Sequence, residues 1–114
     1  MSKNIEYFIF SRDQESVACA GLELVNPEMC YMERLCVLPP FRGQGYGTRL
    51  VEHAIKLAKT KKARRLEIGV IADHREVVEW YRFLGFRFKQ QAQFHHLPFR
   101  VEFLYYDLLD DSIK

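Results

Sequence analysis

A glycine-rich junction at residues 42–48 most constrains how this chain can fold. Before it, the apolar run LCVL at residues 35–38 ends at Pro39 and Pro40, which cannot continue a sheet ladder. The sequence RGQGYG follows, with glycines at alternate positions 43, 45 and 47. From Gly45 onward, apolar residues recur with a helical period. A strand, a loop and a helix in this order favour a crossover to a parallel strand, so part of the sheet must be parallel.

The rest of the chain adds five strands. Residues 4–10 and 16–25 are rich in β-branched and aromatic residues and flank the turn sequence SRDQE, which predicts a hairpin. Strands are also predicted at residues 30–38, 64–72, 86–90 and 99–109. The order is β-β-β-α-β-α-β-β. It predicts an α/β (α+β) fold with a mixed central sheet, in a single domain comprising residues 1–114.

Two helices are predicted from apolar periodicity. The face of the first is formed by Leu50, Val51, Ala54, Ile55, Leu57 and Ala58. The second begins near Asp73, which with Glu76 three residues later resembles a capping box. Gly85 lies where a C-terminal cap is expected. The apolar face of the second helix is formed by Val77, Val78, Tyr81 and Leu84.

Composition narrows the class of protein. A net charge of +2 over 114 residues is too small to imply nucleic acid as a partner. No apolar run approaches the roughly 18 residues of a membrane span, and residues 1–5 lack a signal sequence, so we expect a cytoplasmic protein without membrane contact. Cys19, Cys30 and Cys36 lack the spacing of a zinc site, so we expect small buried side chains and no bound metal.

The glycine junction has the chemistry of an anion site. The first amides of a helix have no intrahelical partner and carry the positive end of the helix dipole. Glycines would let a phosphate approach them, and Arg42 would add a charge-assisted contact. The spacing G-x-G-x-G fits neither a dinucleotide-binding loop nor a P-loop. A tight strand-to-helix turn that uses glycine is the alternative.

Two segments resemble the GNAT superfamily of acetyl-CoA-dependent N-acyltransferases. Residues 42–47 match the pyrophosphate loop R/Q-x-x-G-x-G/A of that family, and VVEWYRFLGF at residues 77–86 resembles its YxxxGF helix-to-strand signature. Both motifs have the order and separation typical of the family. The resemblance implies an N-acetyltransferase that moves acetyl from acetyl-CoA to a primary amine, on a small molecule or a peptide. Transfer would be by direct attack in a ternary complex, without a metal.

The resemblance also implies where CoA would bind. The strand at residues 31–37 should splay from the strand at residues 66–71, with the pantetheine arm in the gap beside Leu35, Cys36 and Val37. Of these, Leu35 and Val37 would offer backbone groups. The pyrophosphate would lie against Arg42, Gly43, Gln44, Gly45, Tyr46, Gly47 and Thr48. His74 falls where many members carry an asparagine near the cofactor. It could donate a hydrogen bond there or be exposed in the first helical turn.

Two residues are candidates for the chemistry. Tyr81 occupies the position of the family's usual general acid and would protonate the departing thiolate, the alternative being a core aromatic residue. Glu33 is the candidate base. Strand alternation would place it on one face with Tyr31, Leu35 and Val37, where a charged carboxylate is disfavoured. An ion pair of Glu33 with a neighbouring arginine, and a water relay in its place, are the alternatives.

The acceptor side is less constrained by the sequence. His95 and His96 lie in the segment QAQFHHLP at residues 91–98, which in relatives closes over the acceptor. They could contact the acceptor, act as base or lie on the surface. Phe94, Leu97, Pro98 and Phe99 should make this wall apolar and aromatic.

Family members usually begin with a strand and two helices that form one wall of the acceptor site, whereas here the hairpin follows Met1 almost at once. We therefore expect a pocket that is open or completed by a second subunit, and a homodimer. Two other functions stay open. They are a non-catalytic acyl-CoA-binding module and a regulatory interaction subunit.

Overall fold

The computed structural model describes residues 5–108 as a six-stranded mixed sheet with two helices. Along the chain the elements are β1 (Ile5–Arg12), β2 (Glu15–Asn26), β3 (Met29–Val37), α1 (Tyr46–Thr60), β4 (Arg65–Ile71), α2 (Arg75–Phe83), β5 (Arg87–Gln93) and β6 (Arg100–Asp107). A short 3-10 turn, Pro39–Phe41, precedes α1. The predicted order is therefore confirmed. The predicted strand ends at residues 4 and 109 lie outside the described residues, and β5 extends further toward its C-terminus than predicted.

The sheet has the spatial order β1-β2-β3-β4-β6-β5. Within the described chain, neighbouring strands run antiparallel except β3 and β4, which are parallel. This parallel pair is the crossover that the glycine junction predicts. It is also short, because pairing is confined to Met29, Cys30 and Tyr31 against residues 65–67.

A β-bulge at Arg34 interrupts β3. Gly21 of β2 faces Glu33, but Cys19, only two positions away, faces Cys36, so β3 contains one extra residue. Arg34 takes up this residue in the left-handed region, with φ of 59°. Side chains beyond the bulge consequently change face. The predicted single face for Tyr31, Glu33, Leu35 and Val37 is wrong, because register places the last two with Met32 on the opposite face.

Both helices cover one face of the sheet. The residues of α1 that are fully buried are Leu50, Val51, Ala54 and Ala58, all within the predicted apolar face. They share a core cluster with Val78 of α2 and with Leu66, Ile68 and Leu104 of the sheet. Burial of one such leucine stabilises the fold by roughly 2–3 kcal/mol. Neither helix of residues 5–108 combines the length and apolarity required to cross a membrane.

The sequence predicts the C-terminal cap of α2 correctly but not its N-terminal cap. The predicted capping box is wrong, because His74 rather than Asp73 is the N-cap residue and makes no side-chain cap hydrogen bond. The C-terminal prediction is confirmed. Gly85 has φ of 110°, its amide donates to the Arg82 carbonyl, and the amide of Phe86 donates to the Tyr81 carbonyl.

The cysteines divide between the two sides of the sheet. Cys30 is buried in the core as predicted, whereas Cys19 is half-buried and Cys36 is exposed. The expectation of three buried cysteines is therefore wrong for Cys36 and only partly met by Cys19. Cys36 lies beyond the bulge and pairs in register with Cys19 on the face that the helices leave uncovered. In the described part of the chain, no group of three or more His, Cys, Asp or Glu side chains is placed to hold a metal ion.

Candidate functional site

A cleft opens where β3 and β4 stop pairing. β3 continues to Val37 and β4 to Ile71, but their ladder ends at Tyr31 and Glu67, so the two strands diverge. The separation of strands expected from the family resemblance is thus present. The resulting cavity has a volume of about 490 Å³. It is lined by β3, β4 and α2, including Glu33, Leu35, Gly69, Trp80 and Tyr81.

Backbone groups of β3 face this cleft at alternate positions. The amide of Leu38 donates to the carbonyl of Val17 on the β2 side at 2.9 Å. Because backbone polar groups alternate between the two edges of a strand, those of Leu35 and Val37 point the other way, toward the gap. Cys36 instead directs its backbone groups toward β2. The backbone groups of Leu35 and Val37 thus lie on the side of the gap, and their role toward an extended ligand stays a prediction.

The junction at residues 42–48, here called the glycine loop, is tied down by side-chain hydrogen bonds. Nε of Arg42 donates to the Val37 carbonyl at 2.9 Å, which links the loop to the end of β3. Gln44 accepts from Nη1 of Arg12 at 3.2 Å and donates to the Pro40 carbonyl at 3.3 Å. The side chains of Arg42 and Gln44 thus support the loop's shape.

The three glycines of the loop serve two different needs. Gly43 and Gly45 have φ of 77° and 88°, a region that favours glycine, and a Cβ at either would meet no atom within 4 Å. Gly47 has ordinary helical backbone, but its Cβ would lie 3.4 Å from the Trp80 ring. Conformation therefore requires the first two glycines, and close approach of α2 favours the third.

The N-terminus of α1 opens from this loop. Gly45 is the N-cap residue without a side chain to cap the helix, and the first intrahelical bond runs from the Arg49 amide to its carbonyl. The amides of Tyr46, Gly47 and Thr48 precede that bond and have no helical acceptor. They can bind an anion, and the helix dipole favours this. Trp80 joins the loop to the cleft, since it packs on Gly47 and lines the cavity.

Tyr81 lies at the inner end of the cleft. It is only 6% exposed and packs edge-on against Trp80 and Phe86. Burial, with a smaller contribution from nearby Tyr31, raises the pKa of Tyr81 to about 12. The phenol is therefore protonated at neutral pH and can donate a proton into the cleft. The two interpretations of Tyr81, general acid and core aromatic residue, are compatible, because its side chain packs in the core and also lines the cavity.

Glu33 lines the same cleft from β3. Its side chain is 18% exposed, and its Oε2 lies 3.5 Å from Nε of Arg34, the bulge residue. The ion pair considered as an alternative from sequence is therefore present. Since the Arg34 side chain is 74% exposed, the pair is screened by solvent and contributes little. Glu33 can form this pair and still accept a proton.

Tyr31 is a residue of the cleft to which the sequence analysis gave no role. Its half-buried ring reaches toward β4, where a Cβ at Gly69 would lie 2.7 Å from the hydroxyl. Burial and the carboxylates of Glu33 and Glu67 raise the pKa of Tyr31. The signal was available in part, because Tyr31 shares a face with Glu33 at the strand that was expected to splay.

The three candidate histidines, His74, His95 and His96, differ in whether they line a cavity. His74 is exposed at the start of α2, and it is not among the residues that line the cleft. His96 lines a second cavity together with Phe94, Leu97 and Phe99, whereas His95 does not. This loop therefore forms the apolar, aromatic wall that its sequence predicts. The roles of the three histidines stay predictions.

Comparison with known sequences places these features in one family. The sequence pattern of the acetyltransferase (GNAT) family matches residues 2–86. An uncharacterized N-acetyltransferase from Methanocaldococcus jannaschii is 36% identical over 63 residues, which are 55% of this chain and 28% of that protein. Thialysine N-epsilon-acetyltransferase from Mus musculus is 33% identical over 55 residues, which are 48% of this chain and 32% of that protein. The matched segments therefore span about a third of these relatives.

Solved structures share the fold over most of the chain. A GNAT family acetyltransferase from Elizabethkingia anophelis, determined with acetyl-CoA bound, superposes with a TM-score of 0.80 at 20% identity, covering 90% of this chain and 76% of that one. The ribosomal-protein-S18-alanine N-acetyltransferase from Escherichia coli gives a TM-score of 0.84 at 17% identity, covering 98% and 74%. At these low sequence identities, the similarity shows a shared fold alone.

Proposed function

Because this chain belongs to the GNAT family of acetyltransferases, we propose that it transfers an acetyl group from acetyl-CoA to a primary amine. The proposal rests above all on one observation. A glycine loop with free helical amides adjoins, through Trp80, a cleft that ends at the buried and protonated phenol of Tyr81. An anionic cofactor head and a reacting thioester would need these two environments at opposite ends of one site.

The glycine loop would hold the pyrophosphate of acetyl-CoA. Amides of residues 43–48 would donate to its oxygens, and the exposed Arg42 would add positive charge while its Nε keeps the bond to Val37. The backbone groups of Leu35 and Val37 would pair with the pantetheine arm as an added strand does. His74 and Cys36 have weaker support from the structure, since His74 does not line the cleft and Cys36 directs its backbone groups toward β2.

Tyr81, Glu33 and Tyr31 define what we call the acyl end of the cleft. The amine nitrogen would attack the carbonyl carbon of the thioester directly, forming the C–N bond as the C–S bond breaks. Tyr81 would give its proton to the departing sulfur and regain it from solvent. Glu33, or water beside it, would take the proton that the amine loses. The products are an amide and free CoA.

A second copy of the chain would pack against β1. Tyr7 and Ile9 are 52% and 59% exposed on β1, at the edge of the sheet and on the face that the helices leave open. Apolar side chains at the edge of the described sheet favour association. We therefore propose a homodimer. A monomer at micromolar concentration in size exclusion with light scattering would reject it.

Binding and turnover measurements test the proposal. Calorimetry with acetyl-CoA should show binding, and a panel of primary amines should release CoA in a thiol assay. Absence of binding at millimolar acetyl-CoA would favour an interaction subunit that uses the fold alone. If acetyl-CoA binds but no amine of the panel causes CoA release, the result would favour a non-catalytic acyl-CoA-binding module.

A further inference from the structure

A second cavity lies beside the cleft, on the sheet face away from the helices. Its volume is about 680 Å³. The walls come from the loop after β5 and from β6, and they are formed by Phe94, Leu97, Phe99, Val101 and Phe103. Phe94 and Phe103 pack edge-on with ring centroids 6.3 Å apart. We call these five residues the aromatic pocket.

The aromatic pocket and the cleft are adjacent. Tyr31, Gly69, Val70 and Ile71 line both cavities. Side chains from both cavities meet over Gly69, since a Cβ there would lie 2.7 Å from the Tyr31 hydroxyl and 3.2 Å from the Phe103 ring. A group in the aromatic pocket is thus one strand away from the acyl end.

The charges around the aromatic pocket are few. Among the described residues that line it, none is a carboxylate, and His96 is the one ionisable side chain besides Tyr31. Glu67 projects from β4 on the same face, but Nζ of Lys89 lies 3.0 Å from each of its oxygens. A ligand with a second ammonium group would therefore find no free partner among the pocket's lining residues.

From these walls and their charge we infer that the acetylated amine is carried by an apolar group of aromatic size, which the aromatic pocket receives while the amine enters the cleft. The inference rests on the proposed function. Burial of a phenyl ring corresponds to roughly a tenfold to hundredfold gain in affinity over a short alkyl group. An arylalkylamine and a peptide with N-terminal phenylalanine both present this chemistry.

Competition between two amines tests the inference on the wild-type chain. We expect 2-phenylethylamine to bind in the presence of CoA at least roughly tenfold more tightly than 1,4-diaminobutane, as measured by NMR chemical-shift titration. Its kcat/KM for CoA release should exceed that of the diamine by a similar factor. Equal or reversed preference in binding would overturn the inference.

A charge introduced into the pocket gives a second test. Phe94→Asp should lower the affinity for 2-phenylethylamine roughly tenfold and raise that for 1,4-diaminobutane, whose second ammonium then has a partner. Phe94 is 37% exposed on a loop, so the fold should persist. Phe83→Asp is the matched control, because Phe83 is 85% exposed on α2 and lines neither cavity. It should change neither affinity.

The two proposals fail in different ways. Acetylation of 1,4-diaminobutane as efficient as that of 2-phenylethylamine would reject the inference and leave the proposed function standing. Selective binding of 2-phenylethylamine without acetylation of any amine would reject the proposed function and support the pocket's preference. Dipeptide amides with N-terminal phenylalanine, used in the same assays, distinguish a peptide acceptor from an arylalkylamine. Preference for them over 2-phenylethylamine would indicate a peptide acceptor.

Discussion

The glycine loop and the acyl end contribute to one proposed site but are built in opposite ways. The loop is a continuous segment of seven residues, residues 42–48, whose function would depend on backbone amides and on φ of 77° and 88° at two glycines. The acyl end combines side chains of β3 and α2, and Tyr31 and Tyr81 come from positions fifty residues apart.

This difference predicts that the two ends can be disabled separately. A change of loop backbone should affect the binding of any ligand with a pyrophosphate and leave the acyl chemistry intact. A change of side chain at the acyl end should affect the rate of transfer at nearly constant cofactor affinity. Variants that lose both properties together would contradict the comparison.

The largest effect is expected for Tyr81→Phe. Removal of the hydroxyl leaves the ring contacts with Trp80 and Phe86 but no proton donor for the departing sulfur. General acid catalysis contributes about a hundredfold to ten thousandfold, so kcat should fall within that range. The dissociation constant of acetyl-CoA should change less than about threefold, because the loop is untouched.

Tyr46→Phe is the control for this change. Tyr46 is the first residue of α1, packs against Phe41 and lies outside the residues lining the cleft. Loss of its hydroxyl should leave kcat at the wild-type level. Full activity of Tyr81→Phe, with cofactor binding retained, would show that Tyr81 is a packing residue and not the acid.

Gly45→Val should weaken acetyl-CoA binding roughly a hundredfold. A β-branched residue is strained at φ of 88°, so the loop must change shape and its amides no longer converge. Loss of one or two charge-assisted hydrogen bonds is worth about 3 kcal/mol. Transfer from S-acetylpantetheine, which lacks the pyrophosphate, should proceed as in the wild type.

A second glycine of the loop serves as the control. Gly47→Ala adds a methyl 3.4 Å from Trp80 in ordinary helical backbone, a distance that small movements of the ring can accommodate. Its affinity for acetyl-CoA should stay within a few-fold of wild type. Wild-type affinity of Gly45→Val in the same calorimetry would contradict the phosphate-loop interpretation.

The same contrast explains which features the sequence could predict. The loop, the element order and the cap at Gly85 depend on neighbouring residues, so local rules were sufficient. The aromatic wall at residues 94–99 was predictable for the same reason. Even so, Gly43 and Gly45 looked equivalent to Gly47, although only the first two need a left-handed backbone.

The acyl end was predicted less completely because it depends on register. Nothing in the sequence of β3 identified Arg34 as a bulge, since arginine rarely adopts positive φ. The bulge places Leu35 and Val37 on the face opposite Glu33. The contact of Tyr31 with Gly69 likewise joins residues of two strands, and no periodicity within one strand reveals it.

Glu33→Gln tests whether the carboxylate does more than pair with Arg34. If Glu33 is the base, water would take over part of its role in the glutamine variant. The value of kcat/KM should therefore fall roughly thirtyfold, less than for full loss of base catalysis. Arg34→Gln is the matched control, because it removes the ion pair and keeps the carboxylate. It should cost less than about threefold. Equal losses in the two variants would support a structural ion pair and argue against a base.

The smallest expected effect concerns stability at alkaline pH. The pKa of Tyr81 is about 12 in the folded chain and near 10 when unfolded, so above pH 10 the unfolded state loses its proton first. The free energy of unfolding should therefore decrease as pH rises from 10 to 12. At pH 11 the loss due to Tyr81 is roughly 1.4 kcal/mol.

Urea denaturation near pH 8 and pH 11 isolates this contribution. Tyr81→Phe has no phenol to ionise, so its stability should decline by roughly 1.4 kcal/mol less than that of the wild type between the two pH values. Equal declines in wild type and Tyr81→Phe would mean that the phenol is not kept protonated by burial. The acyl end would then lack the dry environment that separates it from the solvent-exposed glycine loop.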